Sequence, residues 1–96
     1  MNGVIDQIRE RLMTLSPEAL EIEDESALHA GHAGAKSGGH YRLTIVADCF
    51  DGKNTVARHR LIYGALGDLM RTRIHALAIR AVTAEEAKTQ PTRKDS

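Results

Sequence analysis

Aromatic residues are scarce in this chain: there is no tryptophan, and Tyr41, Tyr63 and Phe50 are the only aromatic positions among 96 residues. A core built from such a sequence must be aliphatic, and with 42% apolar residues there is enough Leu, Ile, Val and Ala to form one. The size is near the lower range at which a single hydrophobic core suffices, so one domain is expected. Cys49 is the only cysteine, which excludes an intrachain disulfide and any all-cysteine metal cage. Charge of one sign is also missing: 13 basic and 13 acidic residues cancel, where a protein built to grip phosphate backbones shows a basic excess. No apolar run approaches the length of a membrane span. The segment after Met1 lacks the basic and apolar regions of a secretory leader. These absences point to a soluble cytoplasmic protein with no membrane partner.

What is present is strongly patterned. Val4, Ile5, Ile8, Leu12 and Leu15 recur at helical spacing over residues 3–15, with Asn2 a candidate N-cap and Ser16-Pro17 a stop. Leu20 and Ile22 alternate with Glu21 and Glu23, which predicts a half-buried strand at 19–25. Residues 27–40 hold four glycines and no periodicity, the mark of a long loop that is usually functional or disordered. A second strand is expected from Tyr41 to Phe50, with either Leu43, Ile45, Ala47 and Cys49 or Arg42, Thr44 and Val46 facing inward. Asp51-Gly52-Lys53-Asn54 is a turn, and Asn54 or Thr55 can cap the helix that follows. That helix is expected from about Thr55 to Arg71 with Ile62, Ala65, Leu66, Leu69 and Met70 on its apolar face. Gly64 and Gly67 each weaken it by about 1 kcal/mol relative to alanine. Ile74 to Val82 is a third strand, and Thr83-Ala84-Glu85-Glu86 is a capping box opening a short helix. The predicted order is α-β-β-α-β-α, an α+β domain over residues 1–87 with helices on one face of a three-stranded sheet. Residues 88–96 are too polar to bury and are expected to form a flexible tail.

Five histidines invite a metal reading. His29 and His32 are spaced H-x-x-H, but on a glycine loop rather than a helix, and structural zinc wants four fixed ligands. His40 stands at the head of the second strand and reads as a residue closing the loop. His75 opens the third strand, either as an edge histidine bonded to backbone or as a ligand. Arg58, His59 and Arg60 fan apart by about 100° per residue on a helix and cannot line one site. Two arginines near a helix start oppose its dipole, so they require the acidic strand 21–25 or an anion as counterpart. Cys49 reads as a small buried apolar residue. Ser26 has no nucleophile-elbow context, so no hydrolase, and no enzyme of any other kind, is expected.

Taken together, Leu20-Glu21-Ile22 before Asp24-Glu25-Ser26, the loop His29-Ala30-Gly31-His32-Ala33-Gly34, Phe50-Asp51-Gly52, Arg58-His59-Arg60 and Ile74-His75-Ala76-Leu77 resemble the BolA family. The resemblance spans about residues 4–87. It implies a fold similar to class II KH domains and a partner, a monothiol glutaredoxin. It also implies a bridging [2Fe–2S] cluster shared with that partner, in iron–sulfur cluster trafficking, assembly or iron regulation. On this resemblance His75 is a ligand from the strand and His29 its mate from the loop, with His32 the alternative loop ligand. Two imidazoles can replace two thiolates on one iron, as in Rieske centres. The partner's cysteine and a glutathione thiol would complete the set. Arg58, His59 and Arg60 become a family marker and an expected partner- or anion-facing surface, and a homodimer without the partner is compatible with the sequence.

The competing expectation is a KH-like DNA-binding transcriptional regulator. KH modules clamp the nucleic-acid backbone with a GXXG loop between helices. Gly31-His-Ala-Gly34 lies between strands, Gly64-Ala-Leu-Gly67 falls inside a helix, and the turn at Asp51-Gly52 lacks the second glycine. Together with the neutral charge, this ranks DNA binding second.

Overall fold

A computed structural model describes residues 3–25 and 39–89 of the chain. Helix α1 spans Val4–Leu12, strand β1 Ala19–Asp24, strand β2 Gly39–Val46, helix α2 Thr55–Leu66, helix α3 Leu69–Thr72, strand β3 Ile74–Val82 and helix α4 Ala84–Thr89. Short 3₁₀ turns follow α1 at Met13–Leu15 and β2 at Asp48–Phe50. The order and class match the sequence expectation, an α+β domain with a three-stranded sheet among the described residues.

The sheet order is β1-β2-β3, with β1 antiparallel and β3 parallel to the central β2. Along β2, Tyr41, Leu43 and Ile45 are buried, and Ala47 continues the same side. Their register partners Leu77, Ile79 and Ala81 on β3 pack against the same core. This settles the alternation left open in the second strand. Against this face lie Ile8 and Leu12 of α1, Ile62 and Leu66 of α2, and Leu69 of α3. The 3₁₀ turn after β2 drives Phe50, fully buried, into the bottom of the core. The opposite face keeps Glu21, Glu23, Arg42, Ala76 and Ala78 exposed, so the helices cover one side only.

Several boundaries differ from expectation, each for a local reason. The N-cap of α1 is Gly3, in extended conformation with no side-chain cap, while Asn2 lies outside the described residues. The chain leaves α1 through Ser16, held at a φ of 54°, just before Pro17. Strand β2 ends at Val46 rather than Phe50, because Ala47 N–H donates to the Val82 carbonyl and the chain then coils into the 3₁₀ turn. The helix expected over 55–71 is broken at Gly67, whose φ of 56° and ψ of −127° no other residue adopts cheaply. Arg11 Nη1 donates to the Leu66 carbonyl at 2.8 Å and closes the broken end. Helix α4 reaches Thr89, so Lys88 and Thr89, expected in the tail, are helical. Asn54 caps α2 as expected, its Oδ1 accepting from Ala57 N–H at 2.9 Å.

Candidate functional site: a histidine pair at the head of the parallel strands

His75 owes its position to an irregularity between β2 and β3. Gly39 pairs with Ile74 and His40 with Ala76, so His75 is one residue extra on its strand. Ile74 turns inward and is buried, whereas His75 and Ala76 are both exposed, and inward alternation resumes at Leu77. The bulge thereby presents an imidazole to solvent at the start of an otherwise half-buried strand.

The backbone under this site is held from three directions. Gly39 N–H donates to the Arg73 carbonyl at 3.1 Å, and Glu25 N–H donates to the His40 carbonyl at 2.7 Å. The Tyr41 ring lies over Gly39 so closely that a Cβ there would meet the ring and hydroxyl at 2.5–2.6 Å. Only glycine fits. Burial pushes the Tyr41 phenol above its ordinary pKa and the Asp24 carboxylate adds to the rise, with Arg73 opposing, so the ring stays neutral.

The His40 and His75 rings face one another with centroids 5.1 Å apart and planes inclined by 39°. His40, read from sequence as closing the loop, therefore belongs to the same site as His75. The signal was present: two strand-initial residues flanking a helical crossover become neighbours when their strands pair in parallel. Missing from the sequence was the pairing itself. His29 and His32, the expected loop ligands, and Ser26 lie outside the described residues. Among the described residues no three His, Cys, Asp or Glu side chains gather into a metal cage. Cys49 is half-buried and follows the far end of β2, roughly 20 Å from His40 at about 3.3 Å per strand residue.

Arg58 lies at that far end too. Its Nη1 donates to the Ala81 carbonyl at 3.0 Å, six strand residues beyond His75, and its Nε donates to the Lys53 carbonyl at 2.8 Å. Nη1 and Nη2 also grip both carboxylate oxygens of Glu86, at 2.6 and 3.0 Å. The expected counterpart, the acidic strand 21–25, is thus replaced by Glu86 of α4. Glu86 is at the same time the capping-box residue: its Oε1 accepts from Thr83 N–H, and its own N–H donates to Thr83 Oγ1. The Arg58 guanidinium, bound first and then the Thr83 N–H, holds the Glu86 carboxyl at about 2, against an ordinary 4.5. The Arg58 side chain is only 13% exposed and its guanidinium lies 6.0 Å from the Phe50 ring centroid. Arg58 is therefore turned inward as a tie between α2, β3 and α4. His59 meets Tyr63 edge-on at 6.2 Å, and Arg60 alone of the triplet is fully on the surface.

The profile of the BolA-like protein family matches residues 12–86. The chain belongs to the BolA-like family. Among curated relatives, BolA-like protein 1 of Mus musculus is 40% identical over 85 residues, covering 88% of this chain and 61% of its own length. SufE-like protein 1, chloroplastic/mitochondrial, of Arabidopsis thaliana is 46% identical over 87 residues, covering 83% of this chain and 24% of the relative. The DNA-binding transcriptional regulator BolA of Escherichia coli is 38% identical over 82 residues, covering 84% of this chain and 76% of the relative. The chain thus spans only part of the first two of these relatives. Among solved structures, the BolA1 protein from Mus musculus superposes with a TM-score of 0.81 at 38% identity, over the whole of this chain and 77% of that one. The BolA domain of SufE1 from Arabidopsis thaliana superposes with a TM-score of 0.77 at 46% identity, over 90% and 98% of the two chains. The sheet and helices of this BolA-like chain are those of its solved relatives. No helix among its described residues is long and apolar enough to cross a membrane.

Proposed function

We propose that this BolA-like protein pairs with a monothiol glutaredoxin and shares a bridging [2Fe–2S] cluster with it, in iron–sulfur trafficking, assembly or iron regulation. The observation that carries the reading is His75, an exposed imidazole on a strand head whose backbone is held by Ile74, Gly39 and Arg73. A ligand shared between two proteins must be accessible and yet not wander, and this position is both. The donor chemistry fits: imidazole suits iron, and a cluster of this type accepts two imidazoles in place of two thiolates. The remaining ligand from this chain would come from the loop, His29 or His32. Cys49 is too far along the sheet to help, so the thiolates belong to glutaredoxin and glutathione. Such a cluster supplies electron storage and a transferable iron–sulfur unit, and the role of this chain is to bind, not to catalyse.

The DNA-binding reading rests on the name of the Escherichia coli relative. Against it, Arg58, the arginine of the triplet bonded to the turn at Gly52, is engaged by Glu86 and two carbonyls. The open sheet face carries Glu21 and Glu23 beside Arg42, a mixed surface that does not favour phosphate.

The test is to mix the protein with a monothiol glutaredoxin, glutathione, iron and sulfide and record the visible spectrum of the heterodimer. His75→Ala should alter it. An unchanged spectrum in both His75→Ala and the His29→Ala/His32→Ala double variant would falsify the ligand assignment. A duplex mobility shift that weakens steeply with salt would favour the DNA reading instead.

A further inference from the structure

We propose that the outer edge of β3 is a self-pairing surface, and that two copies of this chain join antiparallel about Ala78 into one six-stranded sheet. The inference requires no cluster, glutaredoxin or histidine and stands apart from the function proposed above.

The sheet order β1-β2-β3 leaves two open edges among the described residues, and they differ in kind. Strand β1 carries Glu21, Glu23 and Asp24, so a second copy laid against it would set carboxylate beside carboxylate. Strand β3 runs from Ile74 to Val82 with no proline, no glycine and Arg80 as its only Lys, Arg, Asp or Glu. Sheet edges are ordinarily blunted by charge, proline or a covering contact. The cover here is Arg58, whose Nη1 donates to the Ala81 carbonyl. The phase of the strand follows from the Ala47 N–H, which donates to the Val82 carbonyl. Val82, Arg80 and Ala78 thus turn their peptide groups toward β2, and Ala81, Ile79 and Leu77 turn theirs outward. The Arg58 contact stops at Ala81, which leaves Leu77 and Ile79 as the open part of the edge among the described residues.

The occupant follows from the register. With a twofold at Ala78, Leu77 lies opposite Ile79 of the second copy, and each such pair exchanges two main-chain hydrogen bonds. Leu77 and Ile79 are half-buried and packed against the core, so the same residues of both copies extend that core across the junction. On the open face Ala78 meets Ala78 of the second copy as a non-hydrogen-bonded pair, whose Cα atoms approach to about 4.5 Å. Small side chains suit that approach. Arg80 falls opposite Ala76 of the second copy, so no like charges face one another. The contact uses the same surface on both copies and closes at two, because the edges left outside are the acidic β1 strands.

The experiment is sedimentation equilibrium of the full chain, free of metal, over a wide range of concentration. The weight-average mass should climb from monomer toward dimer and level there. Ala78→Lys and Ala78→Glu each place like charges across the twofold at an exposed position and should remain monomeric. An equimolar mixture of the two should recover the dimer mass. In a Cys49→Ala background, Ala78→Cys should cross-link on mild oxidation, since its Cα spacing of about 4.5 Å suits a disulfide. Ala76→Cys lies four strand residues, roughly 14 Å, from its own counterpart and should not. A monomeric mass at every concentration, a mass that passes beyond the dimer, or association that persists in both charge variants would each overturn the proposal. So would a mixture that stays monomeric, or equal cross-linking at positions 76 and 78. Amide spectra identify any variant that does not fold, and Ala78→Cys decides by itself if the charge variants are lost.

Discussion

Gly39 is the residue on which the histidine end turns. It precedes His40, bonds to Arg73 and lies beneath the Tyr41 ring, which is itself buried and not free to swing away. Gly39→Ala forces that ring to move and should destabilise the protein by about 1–3 kcal/mol, the usual cost of overpacking a filled site. Urea unfolding measures it. The steric cause is tested in a Tyr41→Ala background, where the same alanine should cost clearly less; an equal cost in both backgrounds would refute the clash. At the other end, Thr83 is a buried N-cap whose hydroxyl accepts from Glu86 N–H. Thr83→Ala should cost about 1 kcal/mol, and Thr83→Ser, which keeps the oxygen, much less. Equal losses for the two substitutions would show that the methyl contact, not the cap, carries the stability.

At the level of elements, the two glycines of the central helical region have opposite meanings. Gly64 sits within α2 with open space where a Cβ would go, while Gly67 holds a positive φ and faces Arg11 Nη1 at 3.3 Å. Gly64→Ala should stabilise by roughly 0.5–1 kcal/mol through the unfolded chain. Gly67→Ala should destabilise by about 1–3 kcal/mol, since its conformation is almost confined to glycine. A pair of thermal melts moving in the same direction would contradict this. Nothing in the letters distinguishes the two positions, which is why one continuous helix was expected where the chain makes two. The strongly periodic stretches were readable: β3 has the expected bounds, and Asn54 and the Thr83–Glu86 capping box act as their patterns imply. The end of β2 was not, because Ala47 and Cys49 continue the apolar alternation of Leu43 and Ile45 although the chain there makes a 3₁₀ turn. The candidate site divides in the same way. His75 announces itself through the segment it shares with the BolA-like family. Its neighbour His40 emerges only when β2 and β3 are paired in parallel, across 35 residues of sequence that carry no mark of register.

Over the whole molecule, the histidine pair and the Arg58 tie occupy opposite ends of the sheet, and they should be separable. The tie has a definite pH signature. Glu86 binds its proton more weakly in the folded chain, at about 2 against an ordinary 4.5, so folding releases a proton and stability rises with pH through that interval. The contribution is complete above about pH 4.5 and is lost as pH falls toward 2. Water reaches Glu86, whose side chain is 35% exposed, so screening keeps the effect modest. Glu86→Gln retains a group able to serve the capping box but removes the charge. Its unfolding free energy should therefore fall less steeply than the wild-type value between pH 4.5 and 2, and the two curves should be furthest apart above that window; parallel curves would mean that the pair contributes nothing. The same variant also tests the separation of the ends. With the Arg58 contact to Ala81 roughly 20 Å from His75 along β3, weakening the tie should lower the melting temperature yet leave the visible spectrum of a glutaredoxin complex unchanged. If Glu86→Gln or Arg58→Lys altered that spectrum while the amide fingerprint of the sheet stayed native, the Arg58 end would itself be part of the partner surface. The basic triplet would then have a function beyond holding α4 in place.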